Sequence, residues 1–433
     1  MDSFWRTRKK WYNAHLTEVI LPYWLQREDS QFGGFFTCYT VEGDTLVSTD
    51  KYVWSQGRCT WMYAKLAAEP RIEMTEDMRA CCKRLALQGM QFLREHCILE
   101  EGCAFVVTRE GEPKEASPGL GLTPSTFSDC FVALGLSAAG VLFEQDEVLL
   151  QAYELFVRAV DKLRKGTFAA APTVLPEGWR SHAAPMIVLG TSCELAEALE
   201  SRGFTEQARG AEDAGRGAAE DILAHFMQSD GFVLECLGAG NQRLPGIYGR
   251  HINPGHTSEC MWFLMDIARR LEQSDWLKRA LAVGKTNAEN AWDQEYGGMF
   301  YYMDCEGGIP KGDAVEEEKA QAQACLRDWS HKMWWPHTET TYLCLLGYAL
   351  TGDADFERLY RQYHEYTFSV FPSLNVEVGE WIQIRDRMGQ PVTGTVGGRN
   401  PVKDPYHTTR NLMLLIELLD GMEKGEYPMS AEC

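Results

Sequence analysis

The 433-residue sequence is short of basic residues: 42 Lys and Arg stand against 62 Asp and Glu, a formal net charge of −20 at pH 7. A surface of this sign repels nucleic-acid phosphates and anionic lipid headgroups. We therefore expect neither a nucleic acid nor a membrane surface as a partner. A small neutral or cationic ligand, or a protein, is compatible with the charge.

Long apolar runs are also missing. The longest, "FVALGLSAAGVLF", is too short to span a bilayer. The opening "MDSFWRTRKKWYNAHL" has bases but no apolar core after them, so we do not expect a secretory signal. Low-complexity tails and Gly/Ser linkers are lacking too, which favours one domain over residues 1–433. The cysteine pattern described next predicts a cytoplasmic location.

Several cofactor and metal motifs are missing as well. No CxxC pair occurs among the 14 cysteines, which mostly lie in apolar helical patterns, so we predict free thiols in a reducing compartment. No dinucleotide fingerprint is present. "VGKT" at 283–286 lacks the earlier glycine of a phosphate loop, because that position is Arg279. The sequence thus predicts no metal and no cofactor, and no motif supports a nucleotide effector.

What the sequence does contain is a repeat. "DSQFGGFFTCYTVEG" at 29–43 recurs as "DQEYGGMFYYMDCEG" at 293–307, and four weaker copies share a glycine near a short apolar or aromatic stretch. Each interval between copies fits two helices. Six such units predict an all-α, closed (α/α)6 barrel with short β-hairpins and loops at one end; an open solenoid is the alternative. The marker glycines are Gly33, Gly102, Gly178, Gly231, Gly297 and Gly379.

The stretch "NPGHTSECMWFL" at 253–264 joins a Pro-Gly turn to an apolar helix. It places His256 in the first helical turn, at the predicted barrel mouth, with Glu259 three residues later on the same face. A helix N-terminus disfavours a charged imidazole and a carboxylate favours it, so the pair predicts a base with a pKa near neutrality. A capping histidine with a surface glutamate is the alternative.

A second histidine has a similar place. His407 in "YHTTRNL" follows a glycine-rich, proline-broken loop and precedes the last helix, with Arg410 three residues later. Two histidines at inner-helix N-termini would place two acid/base groups around one ligand.

Two aromatic clusters complete the predicted mouth. In "WWPHTET", Trp334 and Trp335 end a loop and Glu339 lies near the start of a helix; tryptophan faces suit sugar rings. In "VWSQGR", Trp54 and Arg58 precede an apolar helix, where a guanidinium can hold an oxyanion. A core plug and a salt-bridged arginine are the respective alternatives.

Together these stretches resemble the N-acylglucosamine 2-epimerase family, which includes the mammalian renin-binding protein. The resemblance spans residues 32–412 and implies an (α/α)6 barrel. Two features depart from the family pattern: "KDPY" stands where "KG.F" is usual, and His182 precedes "AAPM". The matching motifs are "FGGFFTC", "DKYVWSQGR.TWM", "GR.INPGHTSE..WFL", "WWPHTET", "GEW" and "YHTTRNL".

The resemblance also implies roles for individual side chains. His256 and His407 align with the acid/base histidines of the family. Arg58 would stabilise an enediolate oxygen, and Glu259 would tune His256. The residues expected around the substrate are Trp54, Arg250, Trp334, Trp335, Glu339, His182 and Arg410.

The implied reaction interconverts N-acetylglucosamine and N-acetylmannosamine through an enediolate, on a monosaccharide or disaccharide and without a cofactor. An aldose–ketose isomerase, or a 2-epimerase of mannose, glucose or cellobiose, would use the same histidines and stays open. A glycoside hydrolase would need two opposed carboxylates. A protein-binding regulator would not need the full set of site residues. A homodimer is possible, although no interface stripe is readable.

Overall fold

Twelve long helices alternate between an outer and an inner layer. The computed structural model describes residues 3–171, 175–314, 319–375, 378–392 and 402–428, and the helices are labelled α1 to α12 in chain order. The outer helices are α1 (Ser3–Ala14), α3 (Glu76–Phe92), α5 (Asp146–Arg164), α7 (Thr205–Asp221), α9 (Ser274–Asn290) and α11 (Ala354–Val370). The inner helices are α2 (Val53–Ala68), α4 (Thr126–Leu142), α6 (Ala183–Ser201), α8 (Pro254–Arg270), α10 (Trp334–Thr351) and α12 (Tyr406–Lys424).

The inner helices close into a ring. Successive inner helices pack on one another from α2 round to α12, and α12 returns to α2. Each outer helix packs on the inner helix of its own hairpin, and α1 packs on α12. This closure confirms the predicted (α/α)6 barrel and excludes the open solenoid.

The two layers differ in how their apolar residues are distributed. Outer helix α5 buries one stripe, in which Val148, Leu149, Ala152 and Phe156 recur at helical spacing, and exposes charged residues on the other side. Inner helix α4 is buried on nearly every side, as its continuous apolar sequence requires. None of the helices described here combines the length and the apolar character needed to cross a membrane.

Short antiparallel strands gather at the end where the inner helices begin. Four strands lead directly into an inner helix: β3 (Lys51–Tyr52), β6 (Arg180–Ser181), β8 (His251–Ile252) and β10 (Lys332–Met333). Each of them pairs with the strand that follows the next outer helix. This pairing ties the open end of each helical hairpin and sets the helix N-termini at the mouth. The pairs are β1 (Cys38–Tyr39) with β2 (Leu46–Ser48); β4 (Val106–Val107) with β3 (Lys51–Tyr52) and β5 (Pro113–Lys114); β6 (Arg180–Ser181) with β7 (Cys236–Leu237); β8 (His251–Ile252) with β9 (Met303–Asp304); and β10 (Lys332–Met333) with β11 (Ile384–Arg385).

Shorter helical segments lie between these elements. Three π-helical turns continue α1, α3 and α7, and they cover His15–Ile20, Leu93–Cys97 and Ile222–Phe226. The remaining segments are the helices Leu21–Trp24 and Lys319–Asp328 and the 3-10 turns Ala239–Asn241 and Gly246–Gly249.

The two best copies of the sequence repeat build the same buried ion cluster. Asp29 accepts from Lys51 Nζ at 3.1 Å and from Arg109 Nε at 2.9 Å. In the later copy, Asp293 accepts from Lys332 Nζ at 3.0 Å and from Arg387 Nε at 2.8 Å. The repeated acid is therefore a structural group that fastens each hairpin to the strand before the next inner helix.

Glycine is required in these same turns. Gly33 has a φ of 78° and Gly297 a φ of 74°, which is the left-handed region. A β-carbon at either position would also press on an aromatic ring, 3.3 Å from Phe92 and 3.1 Å from Tyr366 respectively. The backbone conformation of these turns therefore requires glycine at Gly33 and Gly297.

Two inner helices begin earlier than the sequence suggested. Helix α2 starts at Val53, so Trp54 and Arg58 lie inside it, and α10 starts at Trp334 rather than after Pro336. Proline is tolerated there because the first backbone N–H groups of a helix have no partner within it.

The cysteines match the expectation of free thiols. All thirteen within the described ranges are free, including the adjacent Cys81 and Cys82. Cys433 and the "GGRNP" part of the loop before His407 lie outside the described residues.

Candidate active site

His256 lies in the first turn of α8, as predicted. Asn253 caps the helix, since its side-chain oxygen accepts from the backbone N–H groups of Gly255 at 3.0 Å and His256 at 3.3 Å. The imidazole is 27% exposed. Its Nδ1 lies 2.8 Å from Oε2 of Glu235, a residue that immediately precedes β7 on the neighbouring hairpin.

The acid that bonds to His256 is therefore not Glu259, which was the expected partner. Glu259 instead accepts from Arg410 Nη2 at 2.5 Å. It raises the pKa of His256 only as a further charge, behind the charge and the hydrogen bond of Glu235. Residues three apart share a helix face, but a buried guanidinium competes for the carboxylate and forms the stronger charge-assisted bond.

The charges of His256 and Glu235 determine the protonation state of the His256 imidazole. Burial lowers the pKa of His256, but the charge and hydrogen bond of Glu235 outweigh it and raise the pKa above 6.5. Burial raises the pKa of Glu235, and the nearby His256 and His182 hold it well below its usual range. An ionised carboxylate can only accept, so Nδ1 carries a proton and the neutral ring keeps its lone pair on Nε2.

His407 is arranged in the same way but in a denser setting. Its Nδ1 lies 2.7 Å from Oε1 of Glu339, a fully buried residue of α10. Glu339 also accepts from Arg410 at 2.7 Å, from Asn411 at 2.6 Å and from Trp262 at 2.8 Å. Burial raises the pKa of Glu339, but Arg410 and His407 hold it below its usual value, so this carboxylate is also ionised.

Trp335 packs against both histidines. Its ring centroid is 5.3 Å from that of His256 and 5.5 Å from that of His407, with the planes inclined by 36° and 39°. Gly255 permits this position, because a β-carbon there would lie 2.7 Å from the indole. The ring of Trp334 is nearly perpendicular to that of His407, with centroids 6.5 Å apart. Two acid/base groups thus lie next to one indole, whose ring can stack on a small ring-shaped ligand.

Arg58 reaches the same cluster from α2. Its Nη1 donates to Oδ2 of Asp404 at 3.1 Å. The guanidinium lies over the rings of Phe131 at 4.1 Å and Tyr406 at 4.9 Å. Burial raises the pKa of Asp404, but Arg58 and His407 hold it low, so the arginine faces an ionised partner. Arg58 and His407 are therefore neighbours through Tyr406.

Three donor atoms of Glu259, Glu339 and His407 lie within 4.8 Å of one another, a spacing that suits a cation. Arg410 already supplies positive charge at this place, because its Nη2 donates to both carboxylates and its side chain is only 4% exposed. We therefore assign Arg410 to holding the carboxylates rather than to contacting a sugar.

Three further predicted residues serve other contacts. Trp54 donates its indole N–H to Ser125 Oγ at 3.1 Å and lies beside Arg58. Arg250 is held by Asp304 through two bonds of 2.9 and 2.7 Å, next to a separate cavity of 330 Å³. His182 is fully buried at the start of α6, so it does not contact a ligand in the mouth.

Sequence reasoning missed two acids of the site. Glu235 stands in the apolar run "FVLECL", and an acid in such a run is a signal of a buried, paired group. Nothing in local spacing links it to His256. Asp404 was noted as a departure from the family pattern, but its pairing with Arg58 was not foreseen.

The barrel fold is shared with solved structures of carbohydrate epimerases and isomerases. The cellobiose 2-epimerase of Bacillus thermoamylovorans has the same fold, with a TM-score of 0.75 at 15% identity over 95% of this chain and 99% of that chain. A D-mannose isomerase has a TM-score of 0.72 at 18% identity over 96% and 99%.

The family's sequence model, N-acylglucosamine 2-epimerase (GlcNAc 2-epimerase), matches residues 34–410, and the chain belongs to this family. The N-acylglucosamine 2-epimerase of Bos taurus is 30% identical over 100% of this chain and 96% of its own length. That of Homo sapiens is 31% identical over 93% and 88%. The chain is thus an enzyme of the epimerase class.

Proposed function

We propose that this protein interconverts N-acetylglucosamine and N-acetylmannosamine by proton exchange at C2. The observation that carries the proposal is the pair His256 and His407, which both pack against Trp335 and each have Nδ1 held by an ionised carboxylate. The names of the full-length relatives at 30% and 31% identity support the N-acylated sugar.

The reaction begins from the open-chain aldehyde. Nε2 of one histidine removes the proton at C2, and the electron pair of that C–H bond forms the C1–C2 double bond while charge develops on the aldehyde oxygen. The other histidine donates a proton to the opposite face of C2, which inverts that carbon. Glu235 and Glu339 stabilise whichever imidazolium has formed, and Arg58 stabilises the oxygen on C1. Because C2 of an N-acetyl sugar carries nitrogen, the intermediate is an enolate; an enediolate would form from a sugar with a hydroxyl at C2.

The proposal includes no cofactor and no metal. Proton removal and return at C2 leaves the oxidation state of the sugar unchanged, so no redox group is required. The free thiols of the described cysteines support a reducing, cytoplasmic setting for the enzyme.

The test is to incubate the protein with N-acetylglucosamine in heavy water and to follow the sugar by proton NMR. We expect N-acetylmannosamine to form with deuterium at C2. His256→Asn serves as the control, since it keeps the barrel and His407 but lacks one of the two bases. Ketose formed from mannose or glucose, with no exchange on the N-acetyl sugar, would instead make the protein a ketol isomerase. If no free sugar is converted or exchanges a proton, a protein-binding role would be favoured.

A further inference from the structure

His182 is a buried histidine whose ring has no hydrogen-bond partner. Its side chain is fully buried, and neither Nδ1 nor Nε2 has a partner among the described residues. Buried polar atoms in native proteins are nearly always bonded. The sugar contact expected from the sequence does not explain this histidine, because it has no surface in the mouth.

Glu235 has a carboxylate oxygen that lacks a hydrogen-bond donor. Its Oε2 accepts from His256, whereas its Oε1 is buried without a partner. The unpaired Oε1 lies 3.8 Å from Nδ1 of His182. The separation is about 1 Å longer than an ordinary N–H···O bond. A buried ring nitrogen that can donate a hydrogen bond therefore lies close to a buried carboxylate oxygen that can accept one, and neither has a partner among the described residues.

The backbone holds these two residues side by side. The N–H of His182 donates to the carbonyl oxygen of Glu235 at 2.9 Å, and the strands β6 and β7 pair immediately beside them. The imidazole rests against Phe226, with ring centroids 5.6 Å apart. The 3.8 Å gap therefore separates two side chains whose backbones are hydrogen-bonded to each other.

We propose that His182 is a positioning residue for His256, and that its Nδ1–H donates to Oε1 of Glu235 and so completes a His182–Glu235–His256 chain. A carboxylate held at both oxygens cannot rotate away from His256. The second donor also withdraws charge from Glu235 and moderates its pull on the His256 proton. The other titratable groups near His256 are Glu259 on its own helix, which raises the pKa of His256, and His251 on β8, whose own pKa is lowered by burial and by His256.

The first experiment compares His182→Leu with His182→Asn in the full chain. It rests on the proposed function, because it measures epimerisation. We expect His182→Leu to lower kcat by roughly tenfold with KM unchanged, as removal of an outer-shell partner does. His182→Asn should retain most of kcat, since its amide nitrogen takes the place of Nδ1. Equal kcat losses in the two variants would overturn the proposal.

A double-mutant cycle shows whether His182 acts through Glu235. In a Glu235→Gln background, His182→Leu should cost little further kcat, because the carboxylate it orients is gone. Full additivity of the two losses would mean that His182 only fills space, and would overturn the proposal.

A third measurement is independent of the sugar. We expect the pKa of His256, followed by NMR and identified through His256→Asn, to rise in His182→Leu and not in His182→Asn. An unchanged pKa in His182→Leu would overturn the chain. If the wild-type protein does not epimerise the sugar, the proposed function fails, yet this titration still decides the role of His182.

Discussion

The two histidines have matching hydrogen bonds and very different surroundings. His256 lies 2.8 Å from Glu235 and His407 lies 2.7 Å from Glu339, and both rings pack against Trp335. His256 is 27% exposed, and its carboxylate comes from a hairpin with one oxygen unpaired. His407 is 9% exposed, and its carboxylate comes from a helix.

The difference shows that the same histidine–carboxylate hydrogen bond can be supported by two different surroundings. Glu339 is saturated by Arg410, Asn411 and Trp262, so the His407 side is part of the barrel core as well as of the site. Among the described residues, the side chain of Glu235 accepts one hydrogen bond, from His256, and its Oε1 is unpaired, so the His256 side depends less on the core. We expect changes on the two sides to separate activity from stability.

The largest effect is expected from removing either imidazole. His256→Asn and His407→Asn should each lower kcat for epimerisation by about 10²–10⁴-fold, the usual contribution of an acid/base group. Each variant should still exchange the C2 proton of one epimer in heavy water and lose that of the other. If both variants lose exchange from the same epimer, the two histidines do not serve opposite faces.

The next effect separates the two carboxylates. Glu339→Gln leaves the buried Arg410 short of charge and should cost roughly 3 kcal/mol in the free energy of unfolding. Glu235→Gln removes a single hydrogen-bonded charge at the partly open side and should cost about 1 kcal/mol. Denaturant unfolding of both variants measures the difference; equal losses would remove the contrast between the sides.

The pH dependence should follow His256. Its pKa is raised above 6.5 by Glu235, so kcat/KM should fall as the pH drops through that raised value, because the protonated ring cannot act as a base. Glu235→Gln should move this acid limb to lower pH. The raised pKa of His256 also stabilises the folded state. This contribution to the free energy of unfolding is complete below pH 6.5 and is lost as the pH rises through the pKa of His256 in the folded protein. A limb that does not move in Glu235→Gln contradicts the assignment.

The smallest effect is expected from changing Trp335, the indole that packs against both histidines. Trp335→Phe keeps an aromatic face but shortens it, so KM should rise by about threefold with little change in kcat, as a loss of roughly 0.7 kcal/mol of stacking predicts. Trp11→Phe on outer helix α1 is the matched control and should leave KM unchanged. A large kcat loss in Trp335→Phe would mean that the indole positions the histidines as well.

The layer order of the barrel was accessible from the sequence because it is local. The glycine-marked repeat and the helical period between copies depend on turns and on neighbours three or four residues apart. The places of His256 and His407 were accessible for the same reason, since Asn253-Pro254 marks a helix start. Helix starts were misjudged at α2 and α10, where Val53 and Trp334 already belong to the helix.

The partners of these residues were decided by tertiary structure alone. Glu235 is 21 residues from His256, and Glu339 is 68 from His407. Only the closing of the ring and the β6–β7 pairing bring them together. The sequence by itself determined which helices form and which histidines open them, because those depend on local backbone preferences. The choice of Glu235 over Glu259 for His256 depended on which buried cation each carboxylate met, and that is a property of the assembled barrel.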